Sequence, residues 1–274
     1  MNRWARQTWL QTRNQNRVFW RTAIAAFFTI AFPLITLVLF GLIFEFDIEV
    51  EGGVIDNPAQ FYAPSLAVFA AASATFTNIG INLSNQRDDG ILKRWRGTPI
   101  APSAFMGGAV VSGLWIAVLA NGAMLIVGAV FYGVEAEAAK LPAAVLAFAV
   151  GSLSFAALGV ALSALVKSGR NAPAAAQALI LPMAFVSNVF VSTADAPRVV
   201  QIIGDLLPLK PFVLAFSAAF NPFIDAPGFM WDRLAVVAAW GVAAALVAAR
   251  RFTWEPASTS AGSIRRGRSR RAVA

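Results

Sequence analysis

Five stretches of this chain run for more than twenty residues without a charged side chain: Ala23 to Phe44, Phe61 to Leu83, Met106 to Tyr132, Leu141 to Val166 and Asn171 to Ala194. The hydrocarbon core of a bilayer, roughly 30 Å thick, takes about 20 helical residues, so lipid is the solvent these runs fit. A sixth run, Leu234 to Ala249, has 16 uncharged residues; Phe229, Met230 and Trp231 precede it and Arg233 can snorkel, extending the span to about 233–250. A further 14-residue apolar stretch, Pro211 to Ile224, is framed by prolines and is too short to cross, which suits a re-entrant or interfacial segment. The reading is an all-α polytopic membrane protein with six transmembrane helices and re-entrant helices at about 197–224, between spans five and six.

Charge placement orients the spans. With the N-terminus inside, the inner segments hold 18 of the 22 basic residues and only three acids, Asp88, Asp89 and Glu255. Lys and Arg concentrate in cytoplasmic loops, so six spans with both termini cytoplasmic fit and a seventh crossing would export the tail "IRRGRSRR". The first run is long and lacks a cleavage motif, so it reads as a retained span. Before it, Arg3, Arg6, Arg13, Arg17 and Arg21 fall within an arc of about 80° at 100° per residue, with Trp9 and Trp20 along one edge. That pattern suits an amphipathic helix at the inner headgroup surface, and equally a plain topology signal. Residues 253–274 read as a disordered basic tail.

The residue types that are missing exclude whole classes of chemistry. There is no Cys and no His, which removes thiolate nucleophiles, imidazole bases and Cys or His metal sites. The spans carry no ionisable side chain to act as a proton or ion relay, which argues against a secondary transporter. No G-x-x-x-x-G-K-[ST] loop is present; the only Lys-Ser pair, Lys167-Ser168, follows Val166 where a glycine is required. Serines and threonines have no base within a span to activate them, so no enzymatic role is expected. The net charge of +8 is split among separate segments rather than gathered on one soluble face, so no nucleic-acid partner is expected.

Polar residues within the spans have two readings. Thr75, Asn78 and Asn82 form one helical stripe beside Phe76, and Gln177, Ser187 and Asn188 lie near Phe185. They either hydrogen-bond between helices or line a path for a substrate; Phe76, Asn78, Phe185 and Asn188 are the candidates for the path.

Residues 87–96, "RDDGILKRWR", place six charges in ten positions of a chain that is only 13% charged. Acids precede bases, and Gly90 with Gly97-Thr98-Pro99 break the pattern, which describes a short helix between turns. A topology signal needs only the KRWR half. Acids of opposite sign and Trp95 suit a docking surface for a protein, with a solvated loop as the alternative.

The stretch "GILKRWRGTPIAPSAFMGG" resembles the segment joining the second and third spans in permeases of the ABC-2 type export family. "RNAPAAAQALILPMAFVSNVFV" and "APRVVQIIGDLLPLKPFVLAFSAAF" are similar to that family's fifth span and the two short extracellular helices that dip back before the sixth; "RRFTWEP" is similar to the close of its drug-exporter branch. Departures fall at Asn188, at Ser192 and at Ala215 to Ser217, and bear on the outer gate and the substrate.

The resemblance implies a transmembrane domain over 1–252 in a bacterial cytoplasmic membrane, working with a second permease copy, identical or homologous, and two P-loop ATPase subunits that hold ATP and Mg. It implies no cofactor in this chain. Residues 84–98 would be the coupling helix, with Arg87, Asp88, Asp89, Lys93, Arg94 and Trp95 docking the ATPase and Gly90 and Pro99 shaping the turns. The cargo would be an amphiphilic drug or lipid. A polysaccharide or lipid-linked glycan exporter, and a membrane assembly protein without transport, stay open as alternatives.

Overall fold

The computed structural model describes residues 3–43, 48–50, 52–96, 101–194 and 196–252. Helix α1 (Arg3–Arg21) precedes five long apolar helices: α2 (Ala23–Leu42), α3 (Pro58–Asp88), α5 (Pro102–Tyr132), α6 (Leu141–Leu165) and α10 (Trp231–Arg251). Between them stand α4 (Ile91–Arg96), α7 (Ala172–Phe185), α8 (Arg198–Leu206) and α9 (Leu209–Ser217). The all-helical expectation missed one feature, an antiparallel hairpin of β1 (Ile48–Val50) and β2 (Gly53–Ile55). Asn57 and Pro58 explain where α3 begins: the Asn57 side chain accepts from the Ala59 amide, and proline at the first position needs no donor.

α3 is the central column. At 1.5 Å per residue its 31 residues reach about 46 Å, well beyond a 30 Å core, so it projects past the bilayer. From Ala59 to Gly80 nearly every side chain is buried, because α2, α5, α6 and α9 surround it. An aromatic seam joins the layers: Phe76 of α3 meets Phe155 of α6, which meets Phe212 of α9. The outer surface is the reverse of a soluble protein's. Ile24, Phe27, Leu42, Val130 and Phe131 stand exposed on α2 and α5, as a lipid-facing surface demands.

Two helices carry a wide turn, Phe27–Ala31 in α2 and Ser73–Thr77 in α3, and these turns face each other. Thr29, at the centre of the first, accepts a hydrogen bond from the Asn78 amide at 3.0 Å, just after the second. Gly159 of α6 sits against the second turn: a Cβ there would lie 2.7 Å from the Phe76 carbonyl and 2.8 Å from that of Thr75. Only a residue without a side chain lets the two backbones come so close.

By length and composition five helices qualify as crossings, and the bent pair α8–α9 would make a sixth. Gln201 of α8 donates to the Ala194 and Ala196 carbonyls, and the Phe220 carbonyl after α9 accepts from Gln60 beside the β-hairpin, so the pair starts and ends at one end of the bundle. The elbow between them, bent by 88°, reaches inward until Trp240 donates to the Leu206 carbonyl at 2.8 Å.

α7 together with residues 186–194 also runs from one end of the bundle to the other. α7 begins beside Asp88, and Ser192 donates to the Glu49 carbonyl of β1 at the opposite end. The expectation of one span over 171–194 therefore needs correction: the helix stops at Phe185, about 21 Å long at 1.5 Å per residue, and residues 186–194 cross the rest as irregular chain. Pro182, which cannot donate to the preceding turn, weakens the last helical turn, and Asn188 turns the backbone with a φ of 58°. The other spans run longer than or close to their sequence bounds. Both described ends of the chain lie at the same end of the bundle, α1 beside the start of α5 and Phe252 against the cluster around Leu92.

α1 is amphipathic and packs one face on α5. Trp4 donates to Ser103, Thr12 to the Gly108 carbonyl and Ser112 to Asn16, so α1 runs lengthwise along the first half of α5. The face it buries is Thr8, Gln11, Thr12 and Gln15, with Phe19 at its end, and its Arg and Trp face points away from the bundle.

Candidate functional site

The charged knot of residues 87–96 is divided by structure into two parts. Residues 84–88, read from sequence as the start of a coupling helix, are instead the last turn of α3. Gly90 then turns the chain with a φ of 69°, a conformation that costs glycine little, and α4 follows over six residues. Leu92 is fully buried against Ile79, Leu83 and Phe105, which fastens α4 to the ends of α3 and α5. Asp89, Lys93 and Arg94 stand exposed. Trp95 lies in α4, and Pro99 falls outside the described residues.

Arg87 and Asp88 are turned inward. Arg87 is only 3% exposed and donates to the Ser163 carbonyl at 2.7 Å and the Val166 carbonyl at 2.6 Å. These carbonyls belong to the C-terminal end of α6, where the helix leaves acceptors without intrahelical partners and favours a cation. The Asp88 carboxylate accepts from the Gly169 amide at 2.5 Å and from the Ser168 hydroxyl at 3.2 Å, and lies 3.6 Å from the Arg87 guanidinium. One dipeptide thus closes α6 and opens the turn that leads into α7. One residue earlier, Gln86 and Gln15 exchange amide hydrogen bonds at 3.1 and 3.3 Å, tying α3 to α1.

The four residues assigned to a path do not line one cavity. Phe76 is buried against Phe155, and Asn78 is bonded to Thr29, both as contacts between helices. Phe185 is 59% exposed on the outside of the bundle and packs on Phe190. Asn188 alone borders the cavity at the hairpin end, where its side-chain oxygen accepts from both the amide and the hydroxyl of Thr193.

That cavity, about 360 Å³, lies between the β-hairpin, residues 188–194, the α8–α9 elbow and the start of α10. Its charged wall was not singled out from sequence. Asp205 of α8 receives buried Lys210 of α9 at 3.2 Å and Arg233 of α10 at 2.6 Å, and the Ser217 hydroxyl on the same wall has no partner among the described residues. A signal was available: Lys140, Arg198, Lys210 and Arg233 are the four basic residues on the acidic side of the spans. Three of them form ion pairs there, Lys140 with Glu137 and the other two with Asp205. No group of His, Cys, Asp or Glu among the described residues is arranged to hold a metal.

Residues 6–221 match the ABC-2 type transporter family. The chain is also 30% identical over 225 residues to the daunorubicin resistance ABC transporter permease protein DrrB1 of Streptomyces coeruleorubidus, a match covering 78% of this chain and 75% of that protein. The multi-pass helical architecture agrees with both comparisons, and the chain belongs to the ABC-2 type transporter family as a membrane-spanning permease.

Proposed function

We propose that this permease exports an amphiphilic drug-like or lipid substrate from a bacterial cytoplasm, driven by two separate P-loop ATPase subunits that dock on α4 and working beside a second permease copy. ATP and Mg belong to those partners. The drug-like cargo follows from the drug-resistance relative, which favours it over a glycan. The observation that carries the docking assignment is the form of α4: a short helix fastened by buried Leu92, with Lys93 and Arg94 exposed beyond it. Exposed charge on a rigidly anchored element fits a partner's cleft, and closure of an ATPase pair on bound ATP then biases the attached helices toward one arrangement. In this reading the α4 end is cytoplasmic, as the positive-inside rule requires, and α8–α9 is a re-entrant pair on the outer side.

The test is affinity purification of the tagged chain in mild detergents, beside a Lys93→Glu, Arg94→Glu variant. Recovery of a P-loop ATPase with the parent chain and its loss with the variant would support the reading. Absence of any ATPase from the parent sample across several detergents would overturn it.

A further inference from the structure

We propose that the cavity at the hairpin end binds an anionic phosphate group, held by Lys210, Arg233 and the Ser217 hydroxyl. The site lies at the opposite end of the bundle from α4, and it stands whether or not an ATPase docks there.

The charge of the wall is the first observation. Asp205, Lys210 and Arg233 are the charged residues lining the cavity, two cations against one carboxylate. Both cations converge on the same oxygen, Asp205 Oδ1, at 3.2 and 2.6 Å. Asp232 meets Arg233 from another side at 3.3 Å, but its side chain is open to water, where such a pair contributes little. Lys210 is 5% exposed, and Asp205 is its one ion-pair partner among the described residues. An ammonium carries several N–H donors, and burying it is costly unless acceptors surround it. One carboxylate oxygen shared with an arginine leaves that need partly unmet.

The second is what else the wall offers. Gln60, Gln201 and Ser192 already donate to backbone carbonyls of the chain. The Ser217 oxygen, by contrast, is buried and bonds to nothing among the described residues. Lys210 reaches this wall across Gly204, where a Cβ would lie 2.8 Å from the lysine δ-carbon, so the elbow is shaped to admit the cation.

The third bears on the source of the phosphate. The cavity, about 360 Å³, is within the roughly 300–1,000 Å³ usual for ligand pockets. On α8, the helix that carries Asp205, Val199, Ile202 and Leu206 follow one another at helical spacing and stand exposed. An acidic lipid whose headgroup enters the cavity can lay its acyl chains along this stripe, whereas a free phosphate would leave it uncovered.

The experiment measures the thermal midpoint of the full chain in a neutral detergent at constant ionic strength, titrated separately with phosphatidylglycerol, phosphatidylcholine and inorganic phosphate. A ligand that binds only the folded state raises the midpoint with its concentration, which yields a Kd. The expected result is a saturable rise with phosphatidylglycerol and none with phosphatidylcholine. Its Kd should weaken about tenfold in Arg233→Gln, which loses a charge-assisted bond, and by less in Ser217→Ala. Ser217→Ala removes no charge and no hydrogen bond within the described chain, so it keeps the test decisive if Arg233→Gln is too unstable to measure. A saturable rise with inorganic phosphate, weakened by the same variants, would support the site and assign it to a free anion. No saturable rise with phosphatidylglycerol or phosphate would overturn it. So would a Kd within twofold of the parent in both variants, the result expected if the lipid lay on the Arg face of α1 instead.

Discussion

Replacing Arg87 by Met keeps most of the side-chain volume and removes the guanidinium, so it isolates the grip on α6. The structure sets the scale. Two hydrogen bonds from a charged donor, at 2.7 and 2.6 Å, are worth about 1.5–3 kcal/mol each. Val166 is only half-buried, so water reaches its carbonyl once the guanidinium is gone, and ordering the long arginine side chain had cost up to about 2 kcal/mol. The net loss is then about 2–3 kcal/mol. At about 2–4 °C per kcal/mol for a chain of this size, the apparent thermal midpoint falls by about 4–12 °C. Heating detergent-solubilised protein and measuring the monodisperse fraction by size exclusion gives that midpoint. Arg87→Lys keeps the charge but cannot fork to two carbonyls, so it should fall between the parent and Arg87→Met. A midpoint for Arg87→Met within about 1 °C of the parent would refute the argument that these bonds hold α3 to α6.

Other positions give independent checks. Gly159→Ala forces a methyl against the Phe76 and Thr75 carbonyls, and overpacking of this kind costs about 1–3 kcal/mol, readable as a lower midpoint in the same assay. Asp205→Ala strands buried Lys210, so it should destabilise more than the pair Asp205→Ala, Lys210→Met; equal midpoints would deny the coupling. Asn188→Ala loses both the acceptor for Thr193 and a residue suited to positive φ, whereas Asn188→Gly keeps the turn. In this cysteine-free chain, a reporter Ser217→Cys should react faster with an impermeant maleimide in the Asn188→Ala background than in the Asn188→Gly background.

Five of the six runs read from sequence coincide with helices long and apolar enough to cross a membrane, because a charge-free run of that length has few alternatives. The fifth span misled for a physical reason. Its residues are as apolar as the others, and hydropathy cannot register that Pro182 and Asn188 end the helix partway. In α1 the regular Arg arc is exposed as its spacing suggests, and the face that decides its packing is Thr8, Gln11, Thr12 and Gln15, which pairs with small residues of α5 that composition does not flag. The triad at Asp205 was hidden because its members come from three helices, and only the elbow between α8 and α9 brings them together.

The charges of residues 87–96 show why one loop needs both signs. A docking helix that merely hung between two spans would absorb a push by flexing, and little of the motion would reach the bundle. Arg87 and Asp88 remove that slack by using the two unmet needs of neighbouring helix ends, the open carbonyls of α6 and the open amide at Gly169, as attachment points. Leu92 does the same through apolar packing between α3 and α5. Among the described residues the exposed charges that remain are Asp89 and, on α4, Lys93 and Arg94, and α4 is an element whose position is shared with α3, α5, α6 and the start of α7. Under the proposed docking, the inward charges would set how stiffly the bundle follows and the outward ones what it binds, and substitutions in the two groups should separate accordingly: Arg87 variants change stability and the coupling of hydrolysis to transport, Lys93 and Arg94 variants change affinity.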